Sequence, residues 1–368
     1  MGDVFPTVKA AVVQAASVLY DREKTLEKAV SLIEEAAGQG AELVAFSESF
    51  LPGYPYHLWL GAPVWYQDLF KEWFLNGVEI PSKTTDVLCD VARANEIDVV
   101  MGVNERDGKT CYNTLVFINR RGQLLGKHRK IMPTHAERAH WGLGDGSNIR
   151  TWDYDNYRLS GLLCWEHSMD LMRHAMIAQR PQIHVASWVG GGAMALWDDI
   201  FEMTAELCSR YHAHVGDCFV LKADGTLDQA GYEKLCQTEY QQDKIKLGGG
   251  NSAIIAPGGK FLAGPLKDDE GILYADLDLN AIADWAHLHD AVGHNARPDL
   301  LSLLINTNEY RVTQPMARFS NTQSQSLSSN GGKTPNLTNL STDIERLSAD
   351  LANIRLAIQE KTLISTQQ

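Results

Sequence analysis

The segment 158-RLSGLLCWEHSMDLMRHAMIAQRPQIHVASW-188 holds three elements in quick succession. Residues 158–164 and 182–188 are short apolar runs that predict buried strands, and the residues between them predict a helix at 168–179. Strands that alternate with helices are typical of a layered α/β protein. The segment therefore predicts the fold class of the chain.

The same alternation extends outward from this segment. Residues 8–15 and 42–46 are predicted strands on either side of a helix at 22–38, whose apolar residues share one face and which Gly38 and Gly40 end. Further helices are expected near 64–76, 83–95 and 195–214, and further strands near 97–103, 112–118, 123–127, 217–221, 251–256 and 271–277. Because hairpins intervene between the strand–helix units, the sheet is expected to be mixed.

Composition excludes several classes of protein. The chain has 368 residues, of which 44% are hydrophobic and 21% are charged, so it has ample material for a core. Its formal net charge is −13 and it has no basic block, so nucleic acid is not an expected partner. No signal peptide and no apolar run of about 18 residues is found, so no membrane association is expected. The six scattered cysteines predict reduced thiols in a cytoplasmic protein.

The composition changes after about residue 315. Ser, Asn, Thr and Gly dominate residues 319–342, which indicates a flexible connection. Beyond it, aliphatic residues recur at alternating steps of three and four, namely at Ile344, Leu347, Leu351, Ile354 and Ile358. We therefore divide the chain into a domain at 1–315 and a tail at 316–368 with a short amphipathic helix at 343–361. That helix is either a frayed end or an oligomer contact.

Cys164 is the first candidate for chemistry. Lone cysteines are commonly inert core residues. The nearby His167 and His174 provide neither a compact zinc ligand set nor a third group to orient a Cys–His pair. Two features favour a nucleophile: Cys164 ends a predicted strand, where α/β folds place their sites, and polar and aromatic residues follow it at once. The residues alone leave packing and catalysis both open.

Glu48 is the second candidate. It follows the predicted strand at 42–46 and stands among aromatic residues in 45-AFSESFLPGYPYHLWLG-61. Such surroundings solvate a carboxylate poorly, and desolvation raises a carboxyl pKa toward the range of a general base at neutral pH. A structural ion pair is the alternative interpretation.

Lys130 and Glu137 lie in a third segment, 126-GKHRKIMPTHAERAHWGLGDG-146. Lys130 precedes an Ile-Met-Pro run at a strand–loop junction, so an ammonium that points inward there would stabilise a developing negative charge. Glu137 is a second carboxylate in the same loop. The glycines do not form a phosphate-binding loop, because no G-x-x-x-x-G-K-[ST] sequence is present.

These segments together resemble the Glu–Lys–Cys motifs of the nitrilase (carbon–nitrogen hydrolase) superfamily. The matching residues are Glu48 in F-S-E-S-F-L-P-G-Y-P, Lys130 in H-R-K-I-M-P-T-H-A-E-R and Cys164 in L-L-C-W-E-H. Their order and their intervals, 82 residues (130 − 48) and 34 residues (164 − 130), resemble the true nitrilase branch. Further similar segments are 182-QIHVASW-188, 252-SAIIAPGGK-260, 271-GILYADLDL-279 and 292-VGHNARPD-299. The resemblance runs from about residue 7 to residue 312 and leaves the tail uncovered.

The resemblance implies a four-layer α-β-β-α sandwich. It also implies a dimer with eight layers, formed near Cys164, and growth of such dimers into spirals or filaments. The implied reaction is nitrile hydrolysis to the carboxylic acid and ammonia. In it Cys164 attacks as a thiolate, Glu48 is the general base and Lys130 stabilises the tetrahedral intermediate. Glu137 is expected to position Lys130 or the water, some amide by-product is expected, and no metal or organic cofactor is needed.

The expected substrate follows from a similar comparison. The segment 51-LPGYPYHLWLGAP-63 is most similar to arylacetonitrilases, and Trp165-Glu166 after the cysteine is typical of enzymes that act on nitriles. An aryl nitrile or arylacetonitrile is therefore the expected substrate. The expected substrate-binding residues are Trp165, Trp188, Tyr54 and His135. Packing is the alternative role for Trp165 and His135.

Several departures from the family pattern leave the three motif residues untouched. They are Ser47 in place of proline or glycine, Val189–Gly192 where proline is usual, and Asn295-Ala296 in place of Tyr-Ser. An aliphatic nitrilase, a cyanide-hydrolysing or cyanide-hydrating enzyme, and a non-catalytic nitrilase-like binding protein remain alternatives. A metal-dependent nitrile hydratase is disfavoured, because its clustered cysteine ligands are absent.

Overall fold

Twelve strands form two six-stranded sheets in the part of the chain that the structure, a computed structural model, describes: residues 5–195 and 198–311. In chain order they are β1 (Thr7–Gln14), β2 (Leu43–Ala45), β3 (Asp98–Asp107), β4 (Thr110–Ile118), β5 (Leu124–Arg129), β6 (Trp152–Asp153), β7 (Arg158–Leu163), β8 (Ile183–Trp188), β9 (Phe219–Asp224), β10 (Asn251–Ile255), β11 (Phe261–Lys267) and β12 (Gly271–Asp278). The first sheet has the order β12-β1-β2-β3-β4-β5, and the second has the order β11-β10-β9-β8-β7-β6. Both sheets are mixed: β1-β2-β3 and β7-β8-β9 run parallel, and the outer pairs run antiparallel.

Helices cover the outer faces of both sheets. The α-helices of the described residues are α1 (Arg22–Gly38), α2 (Gln67–Leu75), α3 (Lys83–Ala94), α4 (Asp170–Ile177), α5 (Asp198–Gly216), α6 (Gln229–Leu235), α7 (Glu239–Gln242) and α8 (Ala281–Ala286). Ile33 of α1 and Leu88 of α3 are buried in the core on the outer side of the first sheet. Ala205 and Cys208 of α5 are buried in the corresponding core of the second sheet.

Strand β1 shows how one sheet supplies two cores. Val8, Ala10 and Val12 belong to the core between the sheets, whereas Ala11 and Val13 belong to the core beneath α1 and α3. Successive side chains of a strand point to opposite faces, and all five of these side chains are buried. The layers are therefore helix, sheet, sheet and helix, which confirms the predicted α-β-β-α sandwich.

The two strands and the helix predicted within residues 158–188 are confirmed: β7, α4 and β8 lie at 158–163, 170–177 and 183–188. Sequence analysis missed two strands and the three short helices α6, α7 and α8. Strand β6 has only two residues, and β11 is an edge strand whose Gly-Pro pair is typical of a turn. The predicted boundary at 315 and the tail helix at 343–361 lie outside the described residues. No described helix is long and apolar enough to cross a membrane.

Several strands of both sheets end near one edge of the sandwich. Glu48 follows β2, Lys130 comes directly after β5, and Cys164 comes directly after β7. The loop after β2 is fastened to β3, because Phe46 N–H donates to the Val100 carbonyl at 2.9 Å and Leu51 N–H donates to the Gly102 carbonyl at 3.1 Å. The three motif residues are thus carried by the ends of both sheets.

Candidate active site

Lys130 lies between two carboxylates in a closed cluster. Its Nζ donates to Glu48 Oε1 at 2.7 Å and to Glu137 Oε2 at 2.8 Å. All three side chains are buried. A lysine ammonium has three N–H donors, and the third has no partner among residues 5–195 and 198–311. Within the same residues Glu48 Oε2 is also unpaired, so the cluster keeps one donor and one acceptor for a bound molecule.

Burial and charge set the protonation of this cluster. Burial raises the pKa of Glu48 from 4.5 to about 7, with the Lys130 charge opposing this rise and the Glu137 charge adding to it. Burial alone would lower the pKa of Lys130, but the carboxylates of Glu137 and Glu48 outweigh it and hold that pKa well above its usual value. Glu48 therefore exchanges a proton near neutral pH, while Lys130 stays charged.

Other residues hold the two carboxylates in place. Asn113 Nδ2 donates to Glu48 Oε1. Glu137 Oε1 accepts from the Tyr54 hydroxyl at 2.8 Å, and its Oε2 accepts from the Thr134 N–H at 2.7 Å. Sequence analysis missed Asn113. A possible signal was its position as a polar residue among apolar ones in the β4 sequence TCYNTLVFI.

Cys164 is buried and has a left-handed backbone conformation, with φ 51°. It is the first residue of a tight 3₁₀ turn, Cys164–Ser168. Burial raises the pKa of its thiol well above 9.0, the Glu48 charge raises it further, and the Lys130 charge opposes this. The resting sulfur is therefore a neutral thiol. The thiolate expected from the sequence concerns the attacking sulfur and stays a prediction.

Glu166 joins the two strand ends that carry Cys164 and Lys130. Its carboxylate accepts from the N–H of Leu163 at 2.8 Å and from the N–H of Ile131 at 2.7 Å. Its Oε2 also lies 2.9 Å from Nε2 of the buried His128. Burial alone would raise the Glu166 pKa, but His128 and the two N–H groups hold it below its usual value. One buried carboxylate thus ties β7 of one sheet to the end of β5 of the other.

A cavity of about 170 Å³ lies beside Cys164. Its lining includes Tyr54, Trp59, His135, Cys164, Trp165 and Phe201. The indole of Trp59 stacks on the His135 imidazole with 5.8 Å between the ring centroids. Pockets for drug-sized ligands measure about 300–1,000 Å³, so this cavity suits a small molecule with apolar or aromatic surface.

Three of the four residues expected in the pocket wall line this cavity, namely Tyr54, His135 and Trp165. Trp188 does not. It is fully buried behind the cavity, where its Nε1–H donates to Ser209 Oγ at 3.1 Å, and Val189 takes its place in the lining. Trp188 is therefore corrected to a packing residue.

Sequence analysis did not name Trp59 or Phe201 among the lining residues. Trp59 lies in the aromatic segment that follows Glu48, which is a signal, whereas nothing in the α5 sequence marks Phe201.

Comparisons with known proteins agree on one family. A model of the carbon–nitrogen hydrolase family matches residues 9–287. An aliphatic nitrilase of Rhodococcus rhodochrous is 43% identical over 303 residues, which are 82% of this chain and 83% of that protein. A nitrilase of Bacillus sp. (strain OxB-1) is 38% identical over 309 residues, 83% of this chain and 90% of that protein. A bifunctional nitrilase/nitrile hydratase of Nicotiana tabacum is 37% identical over 335 residues, 88% of this chain and 92% of that protein.

Solved structures with lower identity share the fold. Saccharomyces cerevisiae Nit3, a member of branch 10 of the nitrilase superfamily, has a TM-score of 0.62 at 22% identity and covers 79% of this chain and 96% of its own. An amidase from the nitrilase superfamily of Nesterenkonia AN1 has a TM-score of 0.57 at 18% identity, over 76% of this chain and 95% of its own. The two-sheet sandwich is therefore common to all three chains.

Proposed function

We propose a catalytic mechanism for this chain on the basis of its family. The chain belongs to the carbon–nitrogen hydrolase family, and within that family to the nitrilase branch. It is a hydrolase that acts on nitriles. The observation that carries the mechanism is the buried cluster of Glu48, Lys130 and Glu137 near the small cavity that Cys164 lines. We assign Cys164 as the nucleophile, Glu48 as the proton carrier and Lys130 as the group that stabilises negative charge.

The first half of the reaction forms a covalent thioimidate. The Cys164 sulfur attacks the cyano carbon while its proton passes to Glu48, whose pKa of about 7 leaves a large share of it ionised at neutral pH. The new carbon–sulfur bond replaces one carbon–nitrogen π bond, and the nitrogen takes the proton from Glu48. Because the resting thiol is neutral, the proton transfer accompanies the attack and the thiolate does not accumulate.

The second half consumes two water molecules. Glu48 takes a proton from the first water, whose oxygen adds to the thioimidate carbon, and the unpaired N–H of Lys130 stabilises the tetrahedral intermediate. The nitrogen takes the proton from Glu48 and becomes an amino group. Glu48 then transfers the hydroxyl proton of the intermediate to this nitrogen, the carbon–nitrogen bond breaks, ammonia leaves, and the oxygen forms the carbonyl of a thioester. A second water releases the carboxylic acid and restores the thiol. If the sulfur leaves the first tetrahedral intermediate instead of ammonia, an amide forms as by-product.

Glu137 is assigned to hold Lys130. Its carboxylate accepts hydrogen bonds from Lys130, Tyr54 and Thr134, so the ammonium has a fixed direction within the cluster. Because Glu137 also lines the cavity, its charge acts directly on any group that enters. The three hydrogen bonds support a positioning role for Glu137 rather than a second role as base.

Replacement of Cys164 tests the chemistry directly. Cys164→Ala should lower nitrile turnover by at least about 1,000-fold, because it removes the nucleophile. Glu48→Gln should cause a comparable loss while the circular dichroism spectrum stays that of the wild type. Full turnover by Cys164→Ala would end this assignment. If Glu48→Gln does not give the circular dichroism spectrum of the folded protein, Glu48→Asp is used as the test variant instead. Glu48→Asp keeps the carboxylate but moves it back by one methylene group.

For the substrate class we favour an aryl nitrile or arylacetonitrile. The aromatic lining of the cavity supports this, since an aromatic pair contributes about 0.5–1.5 kcal/mol beyond burial, or about a two- to tenfold preference. Ammonia release should give a higher kcat/KM for phenylacetonitrile than for butyronitrile, and Phe201→Leu should narrow the difference. A wild-type preference for butyronitrile would contradict this assignment.

An aliphatic nitrilase is the second candidate. It is supported by the relative named an aliphatic nitrilase, which is 43% identical to this chain. The same substrate panel separates the two, since this candidate predicts a higher kcat/KM for butyronitrile. Inclusion of cyanide in the panel tests the cyanide-converting alternatives. Hydrolysis of cyanide with two waters releases ammonia, whereas hydration with one water gives formamide, which is measured separately.

We also infer that two copies associate through α4 and α5. The exposed apolar side chains of this surface are Leu171, Ile200, Met203, Leu207 and Tyr211. The four on α5 follow a helical spacing that places them on one face. Leu207→Glu should convert a dimer to a monomer in light scattering, whereas Leu75→Glu on α2 should leave the mass unchanged. A wild-type monomer, or a Leu207→Glu dimer, would refute this surface.

A further inference from the structure

A chain of three buried hydrogen bonds ends at the backbone of Cys164. The Ser160 hydroxyl lies 2.7 Å from His184 Nδ1, His184 Nε2 lies 2.9 Å from His167 Nε2, and His167 Nδ1 lies 2.8 Å from the Cys164 carbonyl oxygen. All four residues are buried. This series of hydrogen bonds therefore runs from the middle of β7, across β8, to the residue that we assign as the nucleophile.

The chemistry of the last acceptor fixes the direction of every bond. A carbonyl oxygen only accepts, so His167 Nδ1 must carry the hydrogen. Burial lowers the pKa of His167 to about 4 and that of His184 well below 6.5, so both rings are neutral. His167 Nε2 is then an acceptor, His184 Nε2 donates to it, and the Ser160 hydroxyl donates to His184 Nδ1. One arrangement of hydrogens satisfies the whole chain.

The same imidazoles offer a possible metal site, but their spacing fits the hydrogen-bonded chain better. Ligand atoms of His167, His184 and His212 lie within 4.8 Å of one another. Two nitrogens bound to one tetrahedral zinc ion are about 3.3 Å apart, whereas the His167 and His184 nitrogens are 2.9 Å apart. This shorter contact is normal for a shared hydrogen. His212 stacks on His184 at 3.8 Å between centroids instead of joining the chain.

The end of the chain coincides with unusual backbone geometry. Cys164 has φ 51°, a conformation that a non-glycine residue keeps only where its surroundings impose it. His167 supplies such a restraint at the Cys164 carbonyl, and the His167 ring is itself held by Trp188, which stacks against it at 5.3 Å. Trp188, packed behind the cavity, thus supports the ring that restrains the nucleophile.

We propose that His167 is a positioning residue that acts through its Nδ1–H on the Cys164 carbonyl and so fixes the direction of the Cys164 sulfur. The inference rests on the proposed function of Cys164. It makes no use of His167 as an acid or a base. Its role is to hold the peptide of Cys164 in the conformation from which the sulfur attacks.

Two substitutions of similar shape isolate the carbonyl bond. In asparagine, the amide nitrogen is separated from Cα by as many bonds as His167 Nδ1, so His167→Asn can still donate to Cys164. His167→Leu has almost the same shape and cannot. Neither side chain reaches His184 as the imidazole does, so both lose that contact equally. His167→Gln is the converse variant, because its amide reaches the position of Nε2.

The proposal predicts a different kcat for each variant. His167→Asn should keep kcat within about threefold of the wild type, whereas His167→Leu and His167→Gln should lower it about 100-fold, since small displacements of reacting groups have effects of this size. KM should stay within about twofold in all three, because the cavity is untouched. Equal kcat values for the asparagine and leucine variants would overturn the proposal. So would a decrease in kcat that simply parallels the decrease in melting temperature across the three variants.

Alkylation of Cys164 by iodoacetamide separates this proposal from the proposed function. Mass spectrometry of the Cys164 peptide reports the direction of the sulfur without any nitrile. The asparagine variant should react at nearly the wild-type rate, and the leucine variant about tenfold more slowly. If the wild type does not hydrolyse nitriles, the proposed function fails, and this order of rates still decides the positioning role. Identical alkylation rates would reject it.

Discussion

Replacement of Glu137 by glutamine should lower the pKa of Glu48 and move the acidic limb of the kcat/KM profile to lower pH. The change removes one negative charge and keeps the size of the side chain. In the wild type the Glu137 charge raises the pKa of Glu48. Glu137 also shares Lys130 with Glu48, so its neutralisation leaves the lysine charge to act on Glu48 alone. Both effects favour ionised Glu48.

The size of the shift follows from the geometry. The two carboxylate oxygens lie 2.7 and 2.8 Å from the same nitrogen, which limits their separation to 5.5 Å. Coulomb's law with an effective dielectric constant of about 20 gives about 3 kcal/mol for two unit charges at that distance. Because one pH unit corresponds to about 1.4 kcal/mol, the shift is about two units. The acidic limb, expected near the Glu48 pKa of about 7, should therefore approach about 5.

The assay is ammonia release at subsaturating nitrile between about pH 4.5 and about pH 9, a range that brackets both limbs. Activity of the wild type should fall as pH drops through the Glu48 pKa, because the base is then protonated. Tyr54→Phe is the matched control: it removes a hydrogen bond to Glu137 without removing charge, and should move the limb by less than about half a unit. An unmoved or raised limb in Glu137→Gln would refute the coupling between the two carboxylates.

Two further predictions concern the supports of the site. Glu166→Gln should lower the free energy of unfolding by about 3 kcal/mol near pH 6, because it leaves His128 without its carboxylate; an unchanged urea midpoint would contradict this. That deficit should shrink as pH rises through the raised His128 pKa, since the ion pair exists only while the imidazole is charged. Gly102→Ala should cost about 2 kcal/mol and lower kcat, because its Cβ would collide with the Ser47 carbonyl beside Glu48. Gly38→Ala is the control in denaturation and turnover, since nothing lies within 4 Å of its Cβ; equal effects of the two changes would contradict the prediction.

Local patterns in the sequence were enough to predict the candidate catalytic residues at the strand ends. Glu48 and Cys164 each follow a short apolar run and Lys130 directly precedes an Ile-Met-Pro run, and such runs are local features that a single sequence displays. The layered fold could be predicted for the same reason, because strand and helix periods are local. Strand β11 was missed because its sequence contains a proline, which is typical of a turn. As an edge strand, β11 pairs on one side only and therefore tolerates a proline that a central strand would not.

Contacts between distant residues could not be predicted in this way. Asn113 and Glu48 are 65 residues apart, and the Glu166 carboxylate reaches Ile131 across 35 residues, so no local pattern records either pair. Trp188 shows a different limit. Every residue of β8 is buried, so alternation between polar and apolar residues is absent and the sequence does not reveal which side chains face the cavity.

The charge of the buried cluster has a consequence for the departure of products. With both carboxylates ionised, Glu48, Lys130 and Glu137 together carry one net negative charge, enclosed beside an apolar cavity. A nitrile enters as a neutral molecule, whereas the acid that it becomes is an anion at neutral pH. Electrostatic repulsion from the cluster therefore acts on the carboxylate product and not on the nitrile substrate. Hydrolysis itself thus promotes release of the product from the cavity. Carboxylates should accordingly be weak inhibitors, weaker still as rising pH ionises Glu48, while a neutral amide is not expelled in this way.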